Sequence, residues 1–512
     1  MLVREIIDRA TREYGEYTAI RWLEKKEIKE IDYSSLESDI KKIRRGLRAE
    51  GFDGAHIALI GSNALEWMES YMGVVTGNTT AIPLDAAMPV EDLIDMLDRS
   101  DSTGLFLGEK CLPMLEPILS ACGKLKKVWV MTKGETDITD ERVSTLAKLM
   151  SLDSDDDPIP DPEALAMIIF TSGTTGKSKG VMLTQSNLAT NVEAVQYDVK
   201  PGDVAALSVL PIHHAFCLVM DWLKAFQLGS CVCINDSLLH MVKNMNVFHP
   251  ATMLMVPLMI ETIYKRIKAM GDVPPEEVRE KVFGGRLKVI FTGGAHLDPY
   301  YINEFLKYGV KVLEGYGMSE CSPVISSNSP HDFKPGSIGK PLPNVEVKFV
   351  DGEILVRGTS VMRGYYKMEN ETNETLADGW LHTGDLGYMD EDGFLWISGR
   401  AKNLIILSNG ENISPEELEG KLALDPLVGE VIVTGEDDGL TARIYPDQDV
   451  IAAKGIQPEE IEPLLRGVID EFNKTQPTYR QIVGLVVRKN PFIKSATRKI
   501  KRQEVLIDEP QE

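Results

Sequence analysis

Residues 171–180 read Thr-Ser-Gly-Thr-Thr-Gly-Lys-Ser-Lys-Gly and follow directly on the apolar run Ala166-Met-Ile-Ile-Phe170. An apolar run of this length bounded by glycine reads as a buried strand, so the pattern is a strand feeding a loop. Gly173, Gly176 and Gly180 let the backbone turn tightly and bring its N–H groups close to an anion. The hydroxyls add donors, and Lys177 and Lys179 add positive charge. The ligand this implies is a polyphosphate. A Walker A loop needs four residues between its first glycine and Gly-Lys-Ser/Thr, whereas only Thr174 and Thr175 separate Gly173 from Gly176. The alternative is a flexible linker, but linkers do not usually follow a buried β run so closely.

Around this loop the pattern alternates helix and strand. Helical spacing over 2–14 and 35–49 precedes the β-like His56-Ile-Ala-Leu-Ile60, a helix around 64–76 and Thr80-Ala-Ile-Pro-Leu84. That order implies an α/β fold with a mostly parallel sheet. Asp153-Ser-Asp-Asp-Asp-Pro-Ile-Pro-Asp-Pro162 reads as a surface connector into the strand before the loop. Strand candidates continue at 205–210, 231–234, 252–256, 288–292 and 311–313. After Pro335 the rhythm changes to short β segments with turns, as in 345–357, which predicts a small antiparallel unit. A last region begins near Gly399-Arg400. Its stretch 474–502 carries nine basic residues and no acidic one, leaving open a solvated basic face or an anion-binding one.

The 512 residues are too many for one core, since single cores stop growing at about 250–300 residues. An apolar fraction of 43% and a charged fraction of 26% describe a globular protein. The net charge of -23 argues against a nucleic-acid binder, or a protein held on anionic membrane by its net field. The six cysteines form no CxxC pair, so free thiols in a reducing, cytoplasmic compartment fit best. The amphipathic start Met-Leu-Val-Arg-Glu-Ile-Ile-Asp-Arg is not a signal peptide's apolar stretch. The longest uncharged runs, 204–220 and 244–260, are broken by proline and histidine, so no transmembrane segment is expected. Peripheral membrane contact stays open.

Four further stretches stand downstream of the loop: Glu314-Gly-Tyr-Gly-Met-Ser-Glu320, Trp380-Leu-His-Thr-Gly-Asp385, Gly399-Arg-Ala-Lys402 and Ser495-Ala-Thr-Arg-Lys499-Ile-Lys-Arg502. In this order and spacing the chain resembles the adenylate-forming superfamily, which holds acyl-CoA synthetases, aryl-CoA ligases, luciferases and the adenylation domains of peptide synthetases. It looks most like the bacterial medium- or long-chain fatty acyl-CoA synthetases. The resemblance covers nearly the whole chain, from Tyr33-Ser-Ser-Leu36 onward. It implies an α/β fold with a large N-terminal domain over 1–399, made of two α/β sheet subdomains plus a small distorted β-barrel. A hinge at 400–402 and a small mobile α+β C-terminal domain over 403–512 follow.

The resemblance also assigns tasks. Thr171, Ser172, Gly173, Thr174, Thr175, Gly176 and Lys179 would hold the β- and γ-phosphates of ATP, so that charge growing on departing pyrophosphate meets fixed donors. Glu320 matches the acid that holds Mg²⁺, a hard cation suited to carboxylate oxygen. Gly315, Tyr316 and Gly317 would lie against the adenine and the acyl-adenylate, although Gly-Tyr-Gly read alone is a turn. Ser319 stands where threonine is more frequent and keeps a hydroxyl for the α-phosphate. Asp385 and Arg400 would bind the ribose, although Thr383-Gly-Asp385 read alone is a loop. Lys499 aligns with the lysine that reaches the α-phosphate, with Arg498 in place of a glycine, Ile493 in place of a proline, and Lys501 as the alternative alignment. Lys402 marks the hinge about which the C-terminal domain would rotate. Gly410 would line the passage for the thiol.

His214 matches the residue that closes over the carboxylate. A metal at the His213-His214 pair is disfavoured, because neighbouring residues point apart and no Cys, Asp or Glu has suitable spacing. The acyl pocket implied by the resemblance draws on His214, Ala215, Phe216, Cys217, Leu218, Met220, Met255, Val256, Gly293, Gly294 and Ala295. Its wall is apolar. An ammonium-bearing substrate needs an acid, and the nearest candidate, Asp221, falls late. The expectation is therefore a ligase that joins an apolar acid to AMP and then to coenzyme A. The alternatives are a ligase that loads a phosphopantetheinyl carrier protein, and a catalytically silent binding module.

Overall fold

Apolar periodicity and capping account for the first elements. Helix Val3–Tyr14 buries Val3, Ile6, Ile7 and Ala10, one stripe at helical spacing. In helix Tyr33–Ala49 the Asp32 carboxylate accepts from the Ser35 N–H at 2.7 Å, capping the start. Strand His56–Gly61 is buried from Ile57 to Gly61, as a parallel strand covered on both faces must be. Helix Leu65–Val75 carries the chain across to the parallel neighbour Thr80–Asp85. The structure, a computed structural model, describes residues 1–171, 178–197, 200–202, 204–407, 412–436, 439–494, 500–502 and 505.

The chain divides into two units. The first takes Met1–Ala295, Pro299–Val347 and Val356–His382 and holds two large sheets. One has eight strands, in the order Gly364–Tyr365, Lys179–Thr184, Leu165–Thr171, Thr80–Asp85, His56–Gly61, Gly104–Leu107, Lys127–Val130, Val143–Thr145. The other has nine, in the order Lys340–Pro341, Val324–Ser327, Lys311–Gly317, Val289–Thr292, Thr252–Met255, Ala205–Ser208, Cys231–Ile234, Thr18–Glu24, Glu27–Asp32. The hairpin Thr18–Glu24/Glu27–Asp32 is absent from the sequence expectation. Its second strand, Glu-Ile-Lys-Glu-Ile-Asp, sets two isoleucines three apart among four charged residues, which lacks the period of two by which a strand registers.

The acidic connector is irregular, as expected, and is clasped at one point. Asp157 meets Arg44 through both oxygens, at 2.8 and 2.9 Å, and Arg4 at 2.8 Å. Burial works against the charge on Asp157, yet hydrogen bonds and attraction from Arg44, then Arg4, hold its pKa below the ordinary value. The clasp ties two N-terminal helices to the segment that leads into the loop strand.

The second unit takes His296–Asp298, Lys348–Leu355 and Thr383–Glu512. Its core packs helices Pro415–Leu422 and Pro458–Asn473 on the sheet Val428–Glu436, Gly439–Pro446, Ile482–Val487, through Leu418, Leu422, Val433, Ile444, Leu465 and Ile469. Within it, the basic stretch is answered by carboxylates. Lys474 pairs with Glu471, Arg480 with Glu417, Lys494 with Glu430 and Arg502 with Glu419. Four cations of the stretch are therefore internal partners rather than a uniform basic face. Among the described residues no helix is long and apolar enough to cross a membrane. All six cysteines are buried free thiols.

Candidate active site

The residues that flank the loop of the sequence reading are paired strands. Strand Leu165–Thr171 pairs antiparallel with Lys179–Thr184, with Thr171 opposite Lys179 and Phe170 opposite Gly180. A strand–loop–strand arrangement, rather than the strand–loop–helix of a Walker A site, follows from the β-prone run Lys-Gly-Val-Met-Leu-Thr behind the loop. Ser172, Gly173, Thr174, Thr175, Gly176 and Lys177 lie outside the described residues, as do Gly410 and Lys499. The loop's base is held by Arg99, which donates to the Ser178 carbonyl and hydroxyl oxygens, both at 2.8 Å, and lies 5.1 Å from the centre of the Phe170 ring.

Glu320 sits in a short 3₁₀ turn, Ser319–Cys321, between strands Lys311–Gly317 and Val324–Ser327. It is buried. Its Oε1 accepts from the Tyr365 hydroxyl at 2.8 Å, and the Lys179 ammonium lies 4.6 Å from the centre of that tyrosine's ring. Burial first, then the charge of Glu320 and the bond to it, raises the Tyr365 pKa, so the phenol keeps the proton it donates. Tyr365 is thus a polar partner that sequence reasoning missed. Gly364-Tyr365 carries no local signal, and Glu320 is 45 positions away.

Gly315, Tyr316 and Gly317 form the end of a strand rather than a turn, paired with Val324–Ser327. At Gly317 a Cβ would stand 1.8 Å from the Pro323 carbonyl oxygen, and at Gly315 3.3 Å from that of Ser326. The pairing itself thus demands the glycine at 317. Tyr316 is buried.

Ala215, Cys217, Leu218, Met220 and Met255 are buried, and Gly293 is buried at the end of strand Val289–Thr292, whereas Gly294 and Ala295 are exposed. His214 and Val256 are partly buried. Residues 216–223 form a π-helix, a rare geometry frequent at functional sites. The His213 and His214 rings are 4.3 Å apart, and His213 Nε2 faces Asp85 at 3.7 Å. Burial lowers the His213 pKa against the pull of Asp85. Among the described residues no cluster of three His, Cys, Asp or Glu could hold a metal. Mg²⁺ is usually held by one or two carboxylates together with substrate phosphates. Glu320, a buried carboxylate in no ion pair with a described residue, suits that part.

Asp221 on the π-helix is fully enclosed, and neither oxygen has a well-formed hydrogen bond. Burial pushes its pKa up to about 7, and Ser208 offsets this only in part. An enclosed acid whose ionisation is disfavoured in this way is a weak counter-ion for an ammonium.

In the second unit Asp385 and Arg400 face each other as cross-strand partners, Nε to Oδ1 at 2.8 Å, on strands Leu381–Met389 and Leu395–Arg400. Thr383 and Asp385 are therefore in a strand, not a loop; the Thr383 hydroxyl donates to the Ile354 carbonyl at 2.7 Å and accepts from the Asp385 N–H at 3.1 Å. Asp385 is buried while the Arg400 side chain is exposed. Lys402 is exposed on the turn Ala401–Asn403.

A sequence model of the AMP-binding enzyme family matches residues 7–366, and one of the AMP-binding enzyme C-terminal domain matches 402–508. The chain belongs to the AMP-binding enzyme family, within the adenylate-forming superfamily. A long-chain-fatty-acid–CoA ligase of Bacillus subtilis (strain 168) is 28% identical, over 99% of this chain and 94% of its own length. The fold matches the anthranilate CoA ligase AuaEII in complex with anthranoyl-AMP, with a TM-score of 0.85 at 20% identity over 99% of this chain and 97% of that one. It also matches the o-succinylbenzoate coenzyme A synthetase MenE of Bacillus subtilis with ATP and magnesium, at 0.77 and 23% over 98% and 99%.

Proposed function

We propose that this protein is an acyl-CoA synthetase that activates an apolar, medium- or long-chain fatty carboxylate. The carboxylate oxygen attacks the α-phosphorus of ATP, the bond to the bridging oxygen breaks, and pyrophosphate leaves. The thiol of coenzyme A then attacks the acyl carbonyl, losing its proton, and AMP departs. What supports the choice of acid is that Ala215, Cys217, Leu218, Met220 and Met255 are apolar and buried, and that burial raises the pKa of Asp221, the one acid on the π-helix, to about 7, which weakens it as a counter-ion for an ammonium. The Bacillus subtilis relative supports the same reading.

In this reading Thr171, Lys179 and the loop residues Ser172 to Gly176 hold the phosphates. Tyr316 and Ser319 face the nucleotide, and Asp385 with Arg400 takes the ribose. His214 closes over the carboxylate. Glu320 would hold Mg²⁺ with the ATP, whose bound charge offsets that growing on the leaving group. Residues 1–399 form the adenylating domain, 400–402 with Lys402 the hinge, and 403–512 the domain that brings Lys499 for adenylation and Gly410 for transfer, in the cytoplasm.

The test is a panel of carboxylates of graded chain length assayed for acid-dependent pyrophosphate release, with coenzyme A and a phosphopantetheinylated carrier protein offered in parallel as acceptors. Release peaking with fatty acids of eight or more carbons, followed by transfer to coenzyme A, is expected. Preference for an aryl or amino acid would refute the substrate; transfer to the carrier alone would refute the acceptor. Lys499→Ala is expected to slow adenylation by about 10²–10³, the range for losing one oxyanion donor, while transfer from supplied acyl-AMP survives.

A further inference from the structure

Residues 359–366 form a strap between the two sheets of the first unit. On one side the Arg363 N–H donates to the Met182 carbonyl at 3.0 Å and the Tyr366 N–H to that of Gly180 at 2.8 Å, while Gly364 and Tyr365 pair with Met182 and Val181. These contacts lie on the strand that returns from the phosphate loop. On the other side the Met362 N–H donates to the Glu320 carbonyl at 2.8 Å, and the Ser322 hydroxyl to that of Ser360 at 2.8 Å. Asn191 Nδ2 bonds the Cys321 and Val324 carbonyls and the Ser360 hydroxyl at once. The strap's backbone is over-determined, so the Tyr365 side chain leaves it in a fixed direction.

That side chain touches a candidate from each sheet. Its hydroxyl donates to one oxygen of Glu320, and its ring face receives the Lys179 ammonium. A carboxylate with one oxygen tethered has its second oxygen oriented, and a hydrogen-bond partner of that kind behind a metal ligand is worth about 10–100-fold in metal affinity. A cation against the ring is drawn to its negative face, which restrains where Lys179 reaches. Resting on the reading of Glu320 and Lys179 given under the proposed function, we infer that Tyr365 is a positioning residue that sets the metal-facing geometry of Glu320 and couples it to the phosphate loop.

The experiment uses the full chain with ATP, no carboxylate and Mn²⁺ as a paramagnetic stand-in for Mg²⁺, with bound Mn²⁺ read by electron paramagnetic resonance. Tyr365→Phe keeps the ring for Lys179 and removes the donor. Expected is a 10–100-fold weaker Mn²⁺ affinity in the ATP complex, with KM for the carboxylate unchanged and a melting midpoint near that of the wild type. In a Glu320→Gln background the same Tyr365→Phe change is expected to cost little more, because the tyrosine acts through the carboxylate. Unchanged Mn²⁺ affinity in Tyr365→Phe, or an equal loss with and without Glu320, overturns the inference while leaving the proposed function standing. Failure of the wild type to hold Mn²⁺ with ATP overturns both.

Discussion

Asp221→Asn is expected to stabilise the protein, and to do so more the higher the pH. The native carboxyl is enclosed, without a well-formed hydrogen bond, and titrates near 7 instead of 3.8. Folding must therefore either strip water from a carboxylate or carry an extra proton. The folded state binds the proton more tightly than the unfolded one, so the cost is absent below about pH 4. It grows through the window between 4 and 7 and is complete above it. A separation of about 3 pKa units, at about 1.4 kcal/mol each, sets a ceiling of about 4 kcal/mol. Asparagine removes the ionisation and keeps the shape. Urea unfolding of both proteins at pH 5, 6, 7 and 8, compared by the midpoint of the first unit's transition, should show the variant's advantage rising through pH 7 and then levelling. An advantage that stays constant across that range would refute the linkage to ionisation, and a loss at pH 8 would imply an ion-paired Asp221.

Two further substitutions follow from the packing. At Gly293 a Cβ would stand 2.9 Å from the Gly315 carbonyl oxygen and 4.0 Å from the Phe216 ring. Gly293→Ala should cost about 1–3 kcal/mol by overpacking and shift the preferred acid to shorter chains, read by thermal melting and the carboxylate panel; an unchanged chain-length optimum would move the pocket elsewhere. Arg44→Ala leaves Asp157 with Arg4 as its remaining cation and should cost about 1–2 kcal/mol at pH 7, the range for losing hydrogen bonds to a charged group. Because the folded pKa of Asp157 is depressed, that loss should shrink as pH falls below about 4, where the wild type also loses the pair; a pH-independent deficit would assign the effect to packing.

The α/β order and most strand positions were legible because parallel strands buried on both faces are written as runs of apolar residues, as in Ile57 to Ile60 and Met253 to Met255. What escaped was set by partners distant in sequence. Gly315 to Gly317 and the Asp385 end of Thr383 to Asp385 carry turn-like residues yet are strands, because Val324–Ser327 and Leu395–Arg400 supply the ladder that their own propensity does not. The candidate site was legible as residue types in order. The bond of Tyr365 to Glu320 and the support of Ser178 by Arg99 were not, since neither pair has a spacing that a sequence displays. The pairing of the basic stretch was hidden for the same reason: the carboxylates that answer Arg480, Lys494 and Arg502 lie 63, 64 and 83 positions earlier.

The strap has a consequence during synthesis. Strand Lys179–Thr184 leaves the ribosome with one neighbour, Leu165–Thr171, and its other edge waits for Gly364 and Tyr365, some 180 residues later. At about 5–20 residues per second that edge stays open for roughly ten to forty seconds. Throughout that interval the nascent chain presents Val181 and Met182 as an unpaired edge, the kind of surface to which chaperones and misfolded neighbours attach. A polypeptide cut short before residue 359 would keep that edge for good.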